Sequence, residues 1–421
     1  MAAAIRCIAI KNLGERFVTR SLFAAIALPA LVLATPALAD THMIAPGEGA
    51  QERLQEALIL AEPGDEIVLE PGRYALSDGL SLDVDGVTLR GAGMQASVLD
   101  FSGQQGAGEG LLVTSDNVTL RDFAVENPKG DGIKSKGADN IVYHAIRVTW
   151  TRGPDENNGA YGIYPVESTG VLVDASEVSG ASDAGIYVGQ SSKITVRNSV
   201  ATDNVAGIEI ENSRDAIVEG NFVSRNTGGI LVFDLPNLPV MGGGNVLIRN
   251  NLVIANDTEN FAPAGNIVAS VRRGTGVMVM ANENVWLQDN LIRGNETAEV
   301  MVIAYPLSFD DPDYNPYPRD VVVADNVLGE GGTDPDIEGG DMLVAAFGGK
   351  LPPILWDGLE ENEERFALLV HPDLTGWTLN LQRQGQRIEE AQPGALDAPA
   401  YGQGWSIEGW GAPEELEARL K

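Results

Sequence analysis

The sequence predicts an all-β protein wound as a single right-handed parallel β-helix, a solenoid of three-strand coils with an N-terminal helical cap and a C-terminal cap. Two types of repeated segment and one column of serine and asparagine residues lead to this prediction. A length of 421 residues would by itself favour two or three domains. Internal repeats are the stronger guide to architecture, and here they favour one solenoid.

The first repeated segment has apolar residues at most of its first and third positions and a polar residue at its fourth. This period of two is typical of a strand with one buried face. The segments from residue 118 onward are VTLRDFAV, IVYHAIRV, VLVDASEV, ITVRNSVA, AIVEGNFV, VLIRNNLV, VWLQDNLI and VVVADNVL.

The sixth position of these segments forms a column, with spacings of 23, 30, 23, 22, 30, 39 and 36 residues. A base coil of about 22 residues fits three short strands and three turns, and loops account for the longer spacings. The polar members are expected to stack at one turn and to bond successive coils together. The column is Phe123, Ile146, Ser176, Ser199, Asn221, Asn251, Asn290 and Asn326.

The second segment alternates with the first and reads DGIKSK, YGIYPV, AGIYVG, AGIEIE, GGILVF and TGVMVM. Its glycine is expected to allow a sharp turn into the next strand. The apolar residue after the glycine is expected to point into the core. These residues are Ile133, Ile163, Ile186, Ile208, Ile230 and Val277.

The first 39 residues are predicted to be a secretory signal, cleaved after Ala39. Arg16 and Arg20 precede the apolar stretch 21–33, and Ala37-Leu38-Ala39 supplies small residues at the cleavage site. An uncleaved membrane anchor is the alternative, although the apolar run is short for a span. No later stretch is apolar enough to cross a bilayer, so a periplasmic or secreted location is expected.

The rest of the chain divides into three predicted parts. Residues 40–84 are expected to hold the N-terminal cap, with an amphipathic helix over 51–61, and the first strands. Residues 85–330 form the parallel β-helix. Residues 331–421, where the repeat fades, are expected to be a C-terminal cap with a short final helix near 413–420, or a small appended domain.

Charge restricts the partners. The chain has a formal charge of −32, and residues 1–39 carry four basic side chains and one acidic one, so their removal leaves −35. Such a surface repels nucleic acid and anionic membranes. It also repels an acidic polysaccharide unless a cation or a local basic patch reverses the field. The only cysteine, Cys7, lies in the predicted signal, so no disulfide is expected in the mature chain.

Four long loops flank the strands of the second segment and suggest a groove on that sheet. They cover residues 151–158, 234–244, 254–272 and 305–319. Loops on a rigid scaffold are a common place for function, and tolerated insertions are the alternative. The residues after the inward-pointing ones should form the groove floor. This column reads Lys134, Tyr164, Tyr187, Glu209, Leu231 and Met278.

Lys134, Tyr164, Tyr187 and Glu209 are the candidate catalytic residues. Coils about 4.8 Å apart would match a sugar chain lying along the column, and tyrosines can stack on sugars and bond their hydroxyls. Lys134 or a tyrosine could act as the base that removes a proton beside a uronic acid carboxylate. A binding groove without catalysis, or an ordinary solvated strand face, are the alternatives.

Arg152, Glu211, Phe233 and Tyr161 are the candidate substrate-binding residues. Arg152 could neutralise a uronate carboxylate. Glu209 and Glu211 lie two apart on one strand, roughly 6.5–7 Å, a separation found in inverting glycosidases.

A cation site is a further hypothesis. Asp310, Asp311 and Asp313 lie near tyrosines in one loop, and carboxylates of this kind could hold Ca²⁺ beside a sugar. A solvated acidic loop is the alternative, and no twelve-residue calcium loop is present.

Segments such as GDGIKSKGADN, ASDAGIYVGQS and NVAGIEIENS resemble a family of secreted proteins with paired parallel β-helix repeats, over most of residues 45–330. The resemblance implies the fold and export and assigns no catalytic residues. More broadly the chain resembles the pectate-lyase-like superfamily of polysaccharide lyases, galacturonan hydrolases, mannuronan C5-epimerases and copper-enzyme maturation proteins. It lacks the paired-aspartate hydrolase motif and the Asp-Pro-His-Asp epimerase motif.

Two functions follow as hypotheses. The first is binding or processing of a polysaccharide, with a lyase or epimerase favoured over a hydrolase. The second is a non-catalytic binding or assembly protein of the periplasm or cell surface, with a partner protein or a glycan in the groove.

Overall fold

The computed structural model describes residues 39–106, 108–362, 365–386, 390–401, 407 and 411–421. Contacts group Ala39–Lys421 into one compact unit. The helices are α1 Ala50–Leu60, α2 Gly340–Ala346 and α3 Glu414–Ala418, with one 3₁₀ turn at Ile267–Ser270. The signal and cleavage site predicted for residues 1–39 fall almost wholly outside the described residues.

Strands make up the rest of the regular structure. The first half of the chain holds β1 Thr41–Ile44, β2 Glu66–Leu69, β3 Gly72–Ala75, β4 Leu80–Leu82, β5 Thr88–Arg90, β6 Ser97–Asp100, β7 Leu111–Val113, β8 Thr119–Glu126, β9 Ile133–Lys136, β10 Ile141–Thr149, β11 Tyr161–Val166, β12 Thr169–Asp174, β13 Glu177–Ser179, β14 Ala184–Gly189, β15 Ser192–Arg197 and β16 Val200–Thr202. The second half holds β17 Ala206–Glu211, β18 Arg214–Glu219, β19 Phe222–Ser224, β20 Gly228–Phe233, β21 Gly244–Arg249, β22 Leu252–Ile254, β23 Thr275–Met280, β24 Glu283–Gln288, β25 Leu291–Arg293, β26 Ala298–Ile303, β27 Val321–Ala324, β28 Val327–Gly329, β29 Ile354–Trp356, β30 Leu368–Val370, β31 Gly376–Thr378 and β32 Gly394–Ala395.

The strands form two sheets that together wind a right-handed parallel β-helix, which confirms the predicted fold. Sheet B runs β4-β7-β9-β11-β14-β17-β20-β23-β26-β29-β31-β32 and is parallel except at its last pair. Sheet A holds the other 20 strands and covers the two remaining faces of each coil. A residue pairs with its equivalent one coil later, as Ile186 does with Ile208 and Ile208 with Ile230.

The interior is filled by the apolar residues that the repeat predicts. The six residues Ile133, Ile163, Ile186, Ile208, Ile230 and Val277 are all fully buried in one continuous core. Because each coil places the same side chain above its equivalent, burial accumulates along the axis as it does in other solenoids.

The predicted serine and asparagine stack is present. In it the side-chain oxygen of one coil accepts the backbone N–H of the preceding coil, as Asn251 Oδ1 does from Asn221 N at 3.0 Å and Asn290 Oδ1 does from Asn251 N at 3.0 Å. Such bonds satisfy buried backbone donors at a turn where no strand partner is available.

A second asparagine stack, not identified in the sequence, lies at the next turn of each coil. It runs through Asn204, Asn226, Asn256 and Asn295, with N–H to Oδ1 distances of 2.9–3.2 Å. All four members lie five residues after members of the first stack and share their spacings of 22, 30 and 39 residues. That shared spacing is the signal that would have revealed it.

The glycines of the second segment serve close packing rather than the unusual backbone angle that was expected. Gly132, Gly162, Gly185, Gly207 and Gly229 do not have positive φ. A Cβ on Gly207 would lie 2.5 Å from Val223 Cγ1 and 2.7 Å from the carbonyl oxygen of Gly229. The glycine is therefore required because the neighbouring coil leaves no room for a side chain.

The N-terminal end of the solenoid is covered by a helix. Helix α1 lies one residue from its predicted position and buries Leu54 and Leu58 against the first coils. After residue 331 the coils continue although the repeat has faded, because β29 pairs with β26 and β31 with β29. A long insertion separates β26 from β29, since the paired residues Val300 and Ile354 are 54 positions apart, and it hides the period, although Ile354 and Gly376 are again 22 apart.

The last residues double back along sheet A. Leu416 of helix α3 packs on Val142 and Leu172, and Glu417 pairs with Arg197 at 2.6 Å, 220 residues earlier in the chain. No described helix has the length and hydropathy needed to cross a membrane.

Candidate active site on sheet B

The outer face of sheet B carries the column expected from the sequence. Lys134 pairs with Tyr164, and Tyr187 with Glu209, in the parallel register. Leu231 and Met278 continue the column. Because adjacent residues in a strand point to opposite faces, these side chains point away from the core.

The column is not the floor of an open groove along its whole length. Lys134 and Tyr164 are partly exposed, but Tyr187 is 4% exposed and Glu209 is 1% exposed. The loop 254–272 folds over this part of the sheet. Its Val268 and Val271 belong to the same apolar cluster as Tyr187. Burial of apolar loop residues therefore closes the face that the sequence suggested was open.

Three tyrosines meet at the boundary between the open and covered parts. The ring centroids of Tyr161 and Tyr164 lie 4.4 Å apart, those of Tyr161 and Tyr187 4.5 Å, and those of Tyr164 and Tyr187 4.9 Å. Tilted and edge-on arrangements of this kind are favourable between aromatic rings. The cluster gives a partly exposed aromatic surface that leads to the buried carboxyl groups.

Tyr187 lies along its strand because Gly189 leaves space for it. A Cβ on Gly189 would come within 2.4 Å of the Tyr187 hydroxyl. In this position the hydroxyl donates a hydrogen bond of 2.7 Å to Glu211 Oε1 on the next coil. Tyr187 and Gly189 of one coil and Glu211 of the next are therefore all needed for this hydrogen bond.

Three carboxyl groups lie behind the tyrosines. Asp183, Glu209 and Glu211 are 4%, 1% and 7% exposed. Burial, and then repulsion from Glu211, raises the pKa of Asp183 to about 7. Burial also raises the pKa of Glu211 to about 7. The pKa of Glu209 is raised well above its ordinary value by burial and then by repulsion from Asp183 and Glu211. Such carboxyl groups hold protons near neutral pH.

Hydrogen bonding distinguishes the three groups. Asn266 of the covering loop donates to Asp183 Oδ2 at 3.1 Å, and Tyr161 lies within hydrogen-bonding reach of the same carboxyl group. Tyr187 donates to Glu211. Glu209 Oε2, in contrast, is buried and has no hydrogen-bond partner among the described residues. An unpaired buried oxygen is costly and commonly marks a functional group.

Asp183 was missed in the sequence, as were two further carboxyl groups. Burial raises the pKa of Asp131 to about 6 and that of Asp234 to about 6. Asp131 and Asp183 come just before the strands whose inner residues were recognised. Their acidic character immediately before the Gly-Ile pattern was the available signal.

Lys134 lies among acids at the open end. Its Nζ is 3.4 Å from Glu109 Oε1 and 3.7 Å from Asp131 Oδ2, and it lies 4.7 Å from the centre of the Tyr164 ring. With two carboxylate partners its charge is already balanced.

Two expected binding residues are not members of this cluster, although Phe233 pairs with Glu211 on the adjacent strand. Arg152 is exposed, and its charge acts on Asp155 of its own loop. Phe233 is 1% exposed and packs in the apolar cluster under the loops. Tyr161 and Glu211, in contrast, belong to the carboxyl and tyrosine cluster.

The three aspartates expected to bind calcium are not arranged as a metal site. Asp311 Oδ1 accepts the backbone N–H of Asp313 at 3.0 Å, and Asp310 and Asp313 are exposed. Nowhere in the described parts of the chain does a group of three or more His, Cys, Asp or Glu side chains form such a site. The short turn uses its own carboxylate to satisfy a backbone donor.

The family model described as "Right handed beta helix region" matches residues 85–237 and 155–310, together more than half of the chain. The chain therefore belongs to the right-handed β-helix family. No curated protein sequence matches it significantly.

Several solved structures are similar to the chain. An exopolygalacturonase from Thermotoga maritima has 13% identity and a TM-score of 0.52, covering 83% of this chain and 90% of that one. The A-module of the mannuronan C-5 epimerase AlgE4 from Azotobacter vinelandii has 14% identity and a TM-score of 0.49, covering 79% and 94%. An alginate lyase from Paenibacillus has 20% identity and a TM-score of 0.44, covering 69% and 98%. At these identities the likeness concerns the fold alone.

Proposed function

We propose that this protein hydrolyses a glycosidic bond of a neutral polysaccharide in the cluster formed by Asp183, Glu209, Glu211 and the three tyrosines. The observation that carries the proposal is the Glu209 carboxyl group, which is buried with Oε2 unpartnered between two further carboxyl groups. The β-helix scaffold itself supports many chemistries, so the proposal rests on the site.

Glu209 is the general acid of the proposal. Burial raises its pKa well above the ordinary value and so favours the protonated form, and a protonated carboxyl group with an unpartnered oxygen can donate to the oxygen of a leaving sugar. Pairs of carboxyl groups whose environments differ are the usual machinery of glycoside hydrolysis.

Glu211 is the general base that activates water. The Tyr187 hydroxyl donates to Glu211 and favours its ionised form, whereas Glu209 has no donor of this kind. The two residues lie two apart on β17, with Cα atoms roughly 6.5–7 Å apart by strand geometry, and carboxyl groups held at a similar separation leave room for a water molecule between base and sugar. This separation predicts inversion at the anomeric carbon.

A neutral sugar fits the charges better than a uronate. Lyase and epimerase chemistry on a uronate needs a positive group to neutralise the carboxylate. Arg152 is exposed and its charge acts on Asp155 of its own loop, and Lys134 is already balanced by Glu109 and Asp131. The geometry therefore favours a hydrolase over the lyase or epimerase that the sequence suggested.

Access requires movement of the covering loop. The hydrogen bond from Asn266 to Asp183 fastens loop 254–272 over the buried carboxyl groups. Opening this loop would expose Glu209 to a sugar already held on Tyr161 and Tyr164. Closure would then exclude water from the reacting bond.

The test is a screen of the purified protein against neutral glycans, such as glucans, mannan and xylan, and against alginate and polygalacturonate. Release of reducing ends from a neutral glycan, with inverted anomeric configuration by NMR, is expected. Unsaturated products from a uronate would instead identify a lyase.

Glu209→Gln keeps the shape of the side chain and should lower the rate at least a hundredfold. Glu219→Gln on sheet A is the matched control and should retain activity. Cleavage by Glu209→Gln at the native rate would overturn the proposal, as would the absence of cleavage of every glycan. Capture of a glycan without cleavage would instead support the binding function that the sequence left open.

A further inference from the structure

A second site lies on the same face of sheet B and begins one coil beyond the carboxyl groups, at Phe233, which pairs with Glu211. A pocket of about 330 Å³ opens between the sheet, the loops 254–272 and 304–307, and the segment 379–386. This volume is at the lower end of the range of small-molecule sites, about 300–1,000 Å³. The sheet contributes Phe233, Met278, Met280, Met301, Ile303 and Leu355.

Three polar side chains that line this pocket, those of Asp357, Gln384 and Ser270, are already engaged within the protein. Asp357 accepts the backbone N–H groups of Ala304 at 2.7 Å and Leu359 at 2.9 Å. Gln384 donates to the carbonyl oxygen of Tyr305, and the Ser270 hydroxyl donates to that of Ile267. A sugar would therefore lose its hydrogen bonds to water on entering, whereas a hydrocarbon would lose none.

The shape of the lining favours a flexible chain over a rigid ring. Three methionines lie on two adjacent strands, with Met278 and Met280 on β23 and Met301 of β26 paired with Met278. Methionine side chains are unbranched and adapt to the conformation of an apolar partner. Leu307, which lines the rim, is 51% exposed and extends the apolar surface to solvent.

Among the described residues that line the pocket, Arg272 is the one cation. Arg272 lines the pocket and is exposed, and its guanidinium has no ion pair or hydrogen bond with any described residue. Its neighbour Arg273 differs, since it pairs with Asp257 at 2.6 Å and with Asp334 at 3.1 Å. In a chain with a formal charge of −32, an unpaired cation beside an apolar pocket is a specific attraction for an anion.

We infer that this pocket binds a free medium-chain fatty acid, with its hydrocarbon tail against the methionines and its carboxylate at Arg272. The tail gains free energy from leaving water, and the carboxylate remains at the solvent edge where it keeps its hydration. The pocket adjoins the carboxyl and tyrosine cluster but is lined by none of its members, and its occupancy does not depend on glycan hydrolysis.

The test is calorimetric titration of the purified protein with decanoate and with decanol, its uncharged analogue. Saturable one-to-one binding of decanoate is expected. Arg272→Gln should weaken decanoate binding roughly threefold to fivefold, as expected for an exposed ion pair, and should leave decanol binding unchanged. Leu307→Asp, also at an exposed position, should weaken decanoate binding by repulsion at the rim. Lys193→Gln, an exposed cation on sheet A, is the control and should change neither.

The absence of saturable decanoate binding would overturn the inference. Equal decanoate affinity in the native protein and in both rim variants would overturn it as well. Binding to phosphatidylcholine vesicles without binding to free decanoate would show a membrane surface as the partner and would also contradict it.

Discussion

The Tyr187 hydroxyl donates a 2.7 Å hydrogen bond to Glu211 Oε1 across the interval between two coils. The contact exists because Gly189, at the end of the same strand as Tyr187, has no side chain to block the ring. In this contact the donor Tyr187, the acceptor Glu211 and the glycine that leaves room for the ring can each be substituted separately.

Gly189→Ala should displace the Tyr187 ring, because a Cβ would lie 2.4 Å from its hydroxyl. We expect a loss of about 1–3 kcal/mol in the free energy of unfolding, typical of an added methyl group in a packed site. Urea denaturation measures it. Gly411→Ala is the control, since nothing lies within 4 Å of its Cβ position. Equal denaturation midpoints for the two variants would contradict the proposed role of Gly189.

The stability of the protein should fall as pH rises from about 4 to about 8. Asp183 and Glu211 have pKa values of about 7 in the folded state, against ordinary values of 3.8 and 4.5. The folded state therefore binds more protons than the unfolded chain in this window, and the free energy of unfolding decreases as those protons are lost.

Glu209→Gln should make that decline shallower, because it removes one of the buried groups that must ionise. Denaturation curves at a series of pH values, for the native protein and the variant, provide the measurement. A native stability that rises across the window would show that the carboxyl groups are not buried in solution.

Asn266→Ala should loosen the covering loop, since Asn266 fastens it to Asp183. Loss of one such hydrogen bond to a partly charged group is worth about 1.5 kcal/mol, so hydrogen-exchange protection over 254–272 should fall roughly tenfold. Glu259→Gln, in the same loop and with a 91% exposed side chain, should leave protection unchanged. Loss of protection in the control alone would contradict the fastening role.

Asn251→Ala should be strongly destabilising. Asn251 accepts the N–H of Asn221 and donates to the carbonyl oxygen of Val218, both inside the solenoid. The change leaves buried groups unpaired at about 1–3 kcal/mol each. Thermal or urea unfolding checks this, with the exposed Asn157→Ala as its counterpart. An equally small loss of stability in both variants would mean that water takes over the hydrogen bonds of the Asn251 side chain.

Much of the fold was predictable because a coil repeats local information. The alternation that buries Ile186 and Ile208 is contained within each strand, and the spacing from Asn221 to Asn251 reports the length of the intervening coil. Each coil repeats a buried apolar position in its strand and a hydrogen-bonded backbone donor at its turn. These two repeated features predict a parallel solenoid.

The candidate site was predictable only in part. Tyr164, Tyr187 and Glu209 could be placed in one column because strand register carries each coil onto the next. Arg152 could not be placed, because a loop residue has no register. The burial of Glu209 was also hidden, since the residues that cover it come from elsewhere in the chain.

The sequence by itself determined the winding of the chain, the inward residues and the order of side chains along sheet B. Only the tertiary structure decided which part of that sheet is open, and it joined Asn266 to Asp183 across 83 residues. The physical reason is that strand pairing follows a fixed sequence period. The position of a loop depends instead on where its apolar side chains can be buried, and this has no period in the sequence. Val268 and Val271 are buried beside Tyr187. Their loop therefore covers the carboxyl groups where the sequence predicted an open groove.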